Sequence, residues 1–199
     1  MDLERVRFDD GRSRLLRVAA EQFLSPGYAE TSMRAIAQAA DMKAASIYHH
    51  FASKDALLAE VLDIGMDAVT AAYDQVEAAS SDLDAFERLH AHIRGHLEAL
   101  FGRYAFTASH VTVFPFAPSG VRAAALPQRD AYEARWTDML AQLLPHLTQT
   151  QLRLSRLSLF GAMNSAIQWF DPAEGSIDEL AQILATTVWT GLGSTKALN

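Results

Sequence analysis

A chain of 199 residues, half of them hydrophobic and 9% aromatic, has room for a substantial buried core and for one or two domains. With no cysteine it can form neither disulfides nor thiolate sites, and a formal charge of −7 argues against a protein that coats nucleic acid through bulk charge. Ala and Leu dominate, Gly and Pro are sparse, and no run alternates β-branched residues, so the composition is that of an all-α protein.

Residues 1–8 read as a frayed, solvated arm, with phosphate contact by Arg5, Arg7 and the nearby Arg12 as the alternative. A first helix is expected from Asp9 or Asp10 to Leu24. Its inward stripe is Leu15, Leu16, Ala19, Ala20 and Phe23, and Ser25-Pro26-Gly27 stops it. Thr31 and Ser32 are placed to cap a second helix with Met33, Ile36, Ala37 and Ala40 facing inward, and Asp41-Met42 breaks it. A third helix follows, about Ala44 to Phe51. At 100° per residue Ile47 and Phe51 fall on one side, and Ala45, Tyr48 and His49 on the other. Two short helices of this kind, the second showing small, aromatic and polar groups to solvent, make a helix-turn-helix, whose second helix lies in the DNA major groove. Phe23, Ile36, Ile47 and Phe51 are the expected core of the three-helix unit.

From an N-cap at Ser53, with Asp55 in the first turn, a long helix is expected to about Ala78, its apolar face continuing through Leu58, Val61, Leu62, Gly65, Ala68, Val69 and Ala72. Ser80-Ser81-Asp82 breaks it and caps a helix from Leu83 to Phe101. A short helix from Tyr104 to Val111 and then a loop are expected, followed by a helix from Arg122 to Leu144 with Leu126, Trp136, Met139, Leu140 and Leu143 inward. Two helices close the chain, Thr148 to Phe170 and Ile177 to Leu192. The first is apolar nearly all round, which calls for cover on every side and suggests a partner subunit. The domains are thus residues 1–54, a DNA-binding unit, and 55–199, a helical bundle.

Charge is distributed unevenly. Residues 1–60 hold eight Lys/Arg against nine Asp/Glu, and the remainder nine against fifteen, so the acidity lies mostly outside the reading head. No secretory leader is expected, since the N-terminus is charged. The longest charge-free run, Tyr104 to Val121, contains His110, Pro115, Pro118 and Gly120, so no membrane span is expected and the chain is expected to be soluble and cytoplasmic.

The pattern Thr31-Ser32-Met33-x-x-Ile36-Ala37-x-x-Ala40, then Ser46-Ile47-Tyr48-x-His50-Phe51, then Ser53-Lys54-Asp55-x-Leu57 resembles the TetR family of bacterial repressors. Family members usually carry Gly at the position of Asp41; Asp tolerates turn conformations better than most residues, so the turn is expected to survive. The resemblance implies that Arg34, Lys43, Ala44, Ala45, Ser46, Tyr48, His49 and His50 face a double-stranded operator, with Thr31 and Lys54 on phosphates. Physically, Tyr48 and His49 offer aromatic faces and hydrogen bonds, Ala44 or Ala45 suits a thymine methyl, and Lys43 and Lys54 supply charge. The alternative is that Tyr48 and His50 pack within the three-helix unit, His50 foremost. In the resembled family the last two helices pair with their symmetry mates, which implies a homodimer interface at Leu152, Leu159, Phe160, Met163, Ile167, Leu184 and Val188.

Aromatic residues crowd the irregular segment around residues 102–122, as they do in ligand cavities between helices. With the resemblance, this implies a pocket for a small apolar effector lined by Phe101, Tyr104, Phe106, His110, Phe114, Trp136, Asn164 and Trp169; plain core packing is the alternative. Asn164 and Trp169-Phe170-x-Pro172 are similar to a tail signature of the branch that regulates fatty-acid, steroid-ring or other acyl-CoA breakdown. The implied effector is a lipid or an acyl-CoA, and Asp171, standing where that branch carries Arg, weighs against the anionic thioester.

His92 and His96 are four apart on one helix, a spacing that suits a metal, but no H-E-x-x-H order and no cysteine accompany them. The stripe Leu89, Ile93, Leu97, Leu100 is expected to turn both partly away from the core. No metal and no cofactor are expected. Three function classes remain: a homodimeric repressor released from a palindromic operator by its effector, a helical binding protein without a DNA role, and a helical enzyme. No nucleophile–base–orienter set and no glycine-rich phosphate loop supports the last.

Overall fold

The computed structural model describes residues 11–193; the arm at residues 1–8, with Arg5 and Arg7, and the expected helix start at Asp9 or Asp10 lie outside the described residues. Among the described residues all regular structure is helical, and no helix is long and apolar enough to cross a membrane. Two compact units form. One takes the residues through Asp67 together with Arg103–Pro127; the other takes Ala68–Gly102 and the residues from Gln128. The division expected after Lys54 follows the end of the helix-turn-helix. The compact units divide later because Phe106, Val113, Phe114, Ala117, Val121 and Ala125 share one core with the N-terminal helices.

In the first unit, α1 (Gly11–Gln22) turns Leu15, Leu16, Ala19 and Ala20 inward, and Phe23 follows them into the core. Phe23–Gly27 forms a wide turn. Gly27, at φ +115°, sits where a side chain is strained, so the turn needs glycine. α2 (Met33–Ala39) and α3 (Ala44–His50) complete the three-helix head over Ile36, Ile47 and Phe51, all buried. α4 (Lys54–Ala79) starts at Ser53, whose Oγ accepts from the Ala56 amide at 3.0 Å, and its last turns belong to the second unit. α6 (Tyr104–Thr112) packs on α1, and the segment expected to be a loop begins with a 3₁₀ turn, Phe114–Phe116. The contact of α6 with α4 depends on Gly65: a Cβ there would lie 2.6 Å from the Phe106 carbonyl oxygen.

In the second unit, α5 (Ala85–Gly102) is capped by Asp84, not by Ser80-Ser81-Asp82. Asp84 Oδ1 accepts from the Glu87 amide at 2.8 Å, and Glu87 accepts from the Asp84 amide at 2.9 Å. Ser80 instead finishes α4, its hydroxyl donating to the Glu77 carbonyl. α7 (Ser119–Leu143) starts in the first unit, three residues before the expected Arg122. Trp136, Met139 and Leu140 are buried as expected, whereas Leu126 is exposed and Leu144 takes the core place expected of Leu143. α8 (Gln149–Ser165) opens on a reciprocal cap between Thr148 and Gln151 and ends in a 3₁₀ turn, Ala166–Gln168, short of the expected Phe170. α9 (Ile177–Gly193) packs on α5 and α8.

Candidate nucleic-acid interface

The geometry of the head is set by how α2 ends. Asp41 has φ +54°; its amide donates to the Gln38 carbonyl at 3.1 Å, and the Met42 amide donates to the Ala37 carbonyl at 2.8 Å. These two bonds around one left-handed residue are the usual glycine-type helix stop, carried here by Asp. The expectation that the turn survives the loss of glycine holds. Ser32 fixes the other end, its Oγ accepting from the Ala35 amide at 3.1 Å.

α3 then buries Ile47 and presents Lys43, Ala44, Ala45, Tyr48, His49 and His50 to solvent, with Ser46 half-buried. Tyr48 is 60% exposed, which removes it from the core and answers the packing alternative; His50 is exposed as well. Arg34 is exposed on α2 and joins Gln38, Asp41, Met42, Lys43 and Ala44 around an open cleft of about 510 Å³. Among the described residues neither Arg34 nor Lys43 is drawn into an ion pair, so both cations stand free beside α3. Gln38 was not singled out in the sequence, although it lies four residues after Arg34, one helical turn on.

Thr31 and Lys54, expected on phosphates, both bond to the backbone of the head itself. Thr31 is buried, and its hydroxyl donates inward to the Gly27 carbonyl at 2.7 Å and the Gln22 carbonyl at 3.0 Å. Lys54 Nζ donates to the carbonyls of Tyr28 (2.7 Å) and Thr31 (2.9 Å) and lies 4.2 Å from the centre of the Tyr28 ring. Tyr28 in turn donates its hydroxyl to Asp55, and burial together with that carboxylate pushes the phenol above its ordinary range, so it stays protonated. Capping and backbone ties of this kind leave no signal in helical periodicity.

The residues expected to line an effector pocket divide between the units: Tyr104, Phe106, His110 and Phe114 in the first, Phe101, Trp136, Asn164 and Trp169 in the second. His110 Nε2 donates to the Leu62 carbonyl at 2.7 Å and its ring stacks on Phe114, while Phe106 and Phe114 are core. Tyr104 and Trp169 are exposed, and Phe101 packs on Phe170.

Trp136 and Asn164 belong to a polar–aromatic cluster inside the second unit. The rings of Tyr73, His92, His96, Tyr132 and Phe160 all lie within 6.4 Å of the Trp136 ring, centre to centre. His92 and His96 are 1% and 6% exposed, against the expectation that they turn away from the core. α5 is covered on more than its leucine stripe, by α8 and α9 as well as by these rings. Burial lowers the His96 pKa to about 4 despite its Asn164 hydrogen bond, so the ring is neutral. It accepts from the Tyr132 hydroxyl at Nδ1 (2.9 Å) and donates from Nε2 to Asn164 Oδ1 (3.3 Å). His92 is also lowered by burial, and its Nε2 donates to Glu77 at 2.6 Å. Burial alone would raise Glu77, but hydrogen bonds from Arg88 and His92 outweigh it and hold the carboxyl below its usual range.

Three members of the expected interface set are corrected. Leu152, Leu159 and Met163 are buried within their own chain, and Phe160 packs in the aromatic cluster. α8 is therefore covered by its own chain along one stripe, and its other face stands in solvent. On α8 and α9 the large apolar residues left in solvent are Leu154, Leu157 and Ile183, the last 62% exposed. Between α8 and α9 runs an apolar groove of about 440 Å³, bordered by Leu147, Leu154 and Val188 among others. Ile167, Leu184 and Val188 are half-buried.

Known proteins share both parts of this arrangement. The profile described as bacterial regulatory proteins, tetR family, matches residues 15–61, and one described as a tetracyclin repressor-like C-terminal domain matches residues 82–192. The HTH-type transcriptional repressor KstR2 of Mycolicibacterium smegmatis is 32% identical over 139 residues, 66% of this chain and 63% of that protein. KstR2 of Mycobacterium tuberculosis is 30% identical over 149 residues, 71% of this chain and 70% of its own length. A TetR-family transcriptional regulator from Bordetella parapertussis superposes with a TM-score of 0.81 at 25% identity, covering 91% of this chain and 95% of that one.

Proposed function

Because the chain belongs to the TetR family of bacterial regulatory proteins, we propose that it is a cytoplasmic transcriptional repressor that reads operator DNA with α3, acts as a homodimer, and is released by a small apolar effector. The observation that carries this reading is the outer face of α3. An exposed tyrosine ring, two histidines and two alanines stand in solvent on a helix whose opposite side is locked by Ile47, and the exposed cations Arg34 and Lys43 flank it. Aromatic and imidazole groups suit base edges, the alanines suit thymine methyls, and the cations suit phosphates.

The test is fluorescence anisotropy of the protein on DNA from upstream of its own gene, at two salt concentrations, against a scrambled duplex. Saturable binding that prefers the upstream sequence is expected; equal binding to both duplexes that salt abolishes is phosphate attraction alone and overturns the reading. Tyr48→Ala is expected to weaken operator binding by roughly 10- to 100-fold while leaving the helical content unchanged, since the ring supports no core contact.

Two heads on a dimer must be spaced by whole turns of DNA, so the operator is roughly palindromic. The dimer face is assigned to the exposed edge of α8 and α9 at Leu154, Leu157 and Ile183, flanking Ile167, Leu184 and Val188. Apolar side chains stranded in solvent beside an apolar groove support this assignment. The double variant Leu154→Glu, Ile183→Asp is expected to sediment as a monomer and to lose most operator affinity; persistence of the dimer places the interface elsewhere. For the effector, we place the site at the polar–aromatic cluster of Trp136, His96, Tyr132 and Asn164, where aromatic rings meet a few hydrogen-bonding groups. Release follows if the effector prefers a conformation in which α4 holds the heads at another spacing, and its strength is bounded by that preference.

A further inference from the structure

We infer that Lys54 is a positioning residue of the reading head: its ammonium, bonded to the Tyr28 and Thr31 carbonyls, ties the first turn of α4 to the entry of α2. The inference rests on the operator-reading function proposed above and adds the route by which α4 acts on the head. Lys54 is the first residue of α4, and Thr31 directly precedes Ser32, the cap of α2. Two of its three N–H groups are aimed at backbone carbonyls 23 and 26 residues away in the chain, at 2.9 and 2.7 Å. Its charge lies over the Tyr28 ring, and that ring is held at its far end by Asp55, the next residue of α4.

The tie continues inward. Thr31 uses its hydroxyl on the Gln22 and Gly27 carbonyls and its amide on Gly27, so the segment that Lys54 grips is anchored to the end of α1 as well. A lysine engaged this way is half-buried and directional, unlike one that serves as a mobile charge for phosphate. Displacing the first turn of α4 therefore pulls on the loop that sets where α2, with Arg34, begins. Through the turn at Asp41 it sets where α3 lies.

The experiment compares wild type, Lys54→Met and Lys54→Arg in the full chain by amide hydrogen exchange and by operator titration over a salt series. Met keeps the stem and removes the donors; the Arg guanidinium can still donate to both carbonyls. In Lys54→Met the Thr31 and Ile36 amides are expected to exchange about 10-fold faster or more, as befits the loss of charge-assisted bonds, while core amides such as Leu16 and Val61 are unchanged. Operator affinity should fall roughly 10-fold with the slope of log affinity against log salt unaltered, and Lys54→Arg should restore both readouts. A slope reduced by about 0.9 with unchanged exchange makes Lys54 a phosphate contact and overturns the inference. Unchanged exchange in Lys54→Met overturns it by itself. Should the wild type show no operator preference, the proposed function falls, and the exchange comparison alone then decides the clamp.

Discussion

Gly65→Ala is expected to destabilise the first unit by about 3 kcal/mol, lowering the midpoint of its thermal unfolding by roughly 12–24 °C. Two effects oppose each other at this position. Helix propensity favours Ala over Gly by about 1 kcal/mol in the interior of α4. Against that, the new Cβ would lie 2.6 Å from the Phe106 carbonyl oxygen and 2.9 Å from its carbon. Those atoms are backbone, so no side-chain rotation relieves the overlap, and α6 must move as a whole. Interiors are too densely packed for that to be cheap, because α6 carries Phe106 and leads to Phe114 in the core shared with α1. Thermal melting followed by helical ellipticity decides the sign: a variant more stable than wild type would show propensity winning and the α4–α6 contact to be loose.

Acid is expected to undo the second unit. His96 is neutral when folded, with a pKa lowered to about 4 from an ordinary 6.5, because burial opposes its charge. Its contribution to stability is therefore complete above pH 6.5, where neither state binds the proton, and declines below that as the unfolded chain takes it up. It is lost once the pH reaches about 4. The linkage amounts to about 3 kcal/mol across this window. His92 and Glu77 are also lowered and act in the same direction. All three tryptophans, Trp136, Trp169 and Trp189, lie in the second unit, so denaturant titrations followed by tryptophan fluorescence between pH 7 and 4 report on it selectively. His96→Gln, which keeps hydrogen-bonding atoms without a proton to gain, is expected to flatten the pH dependence. A pH profile identical to that of wild type removes His96 as its source.

The sequence by itself determined the helical class, the helix-turn-helix and the face of α3 that meets solvent. These are local properties: a 3.6-residue period, a cap at Ser32 and a turn at Asp41 that any fold must respect. It also placed the N-terminal core, since Ile36 and Ile47 lie on the apolar side of their own helices and Phe23 and Phe51 directly follow the ends of α1 and α3. Tertiary structure alone decided what periodicity cannot carry. Lys54 and Thr31 look like phosphate ligands in the chain and prove to be bonded to carbonyls, because a partner many residues away in sequence sets the fate of a polar side chain. His92 and His96 sit off the leucine stripe of α5 yet are buried, because an inner helix is covered on more than one side. For the same reason Leu152, Leu159 and Met163, apolar enough for an interface, are already enclosed by their own chain, while Leu154, Leu157 and Ile183 stand in solvent. Helical pattern states which residues avoid water; only packing states which neighbour keeps the water away.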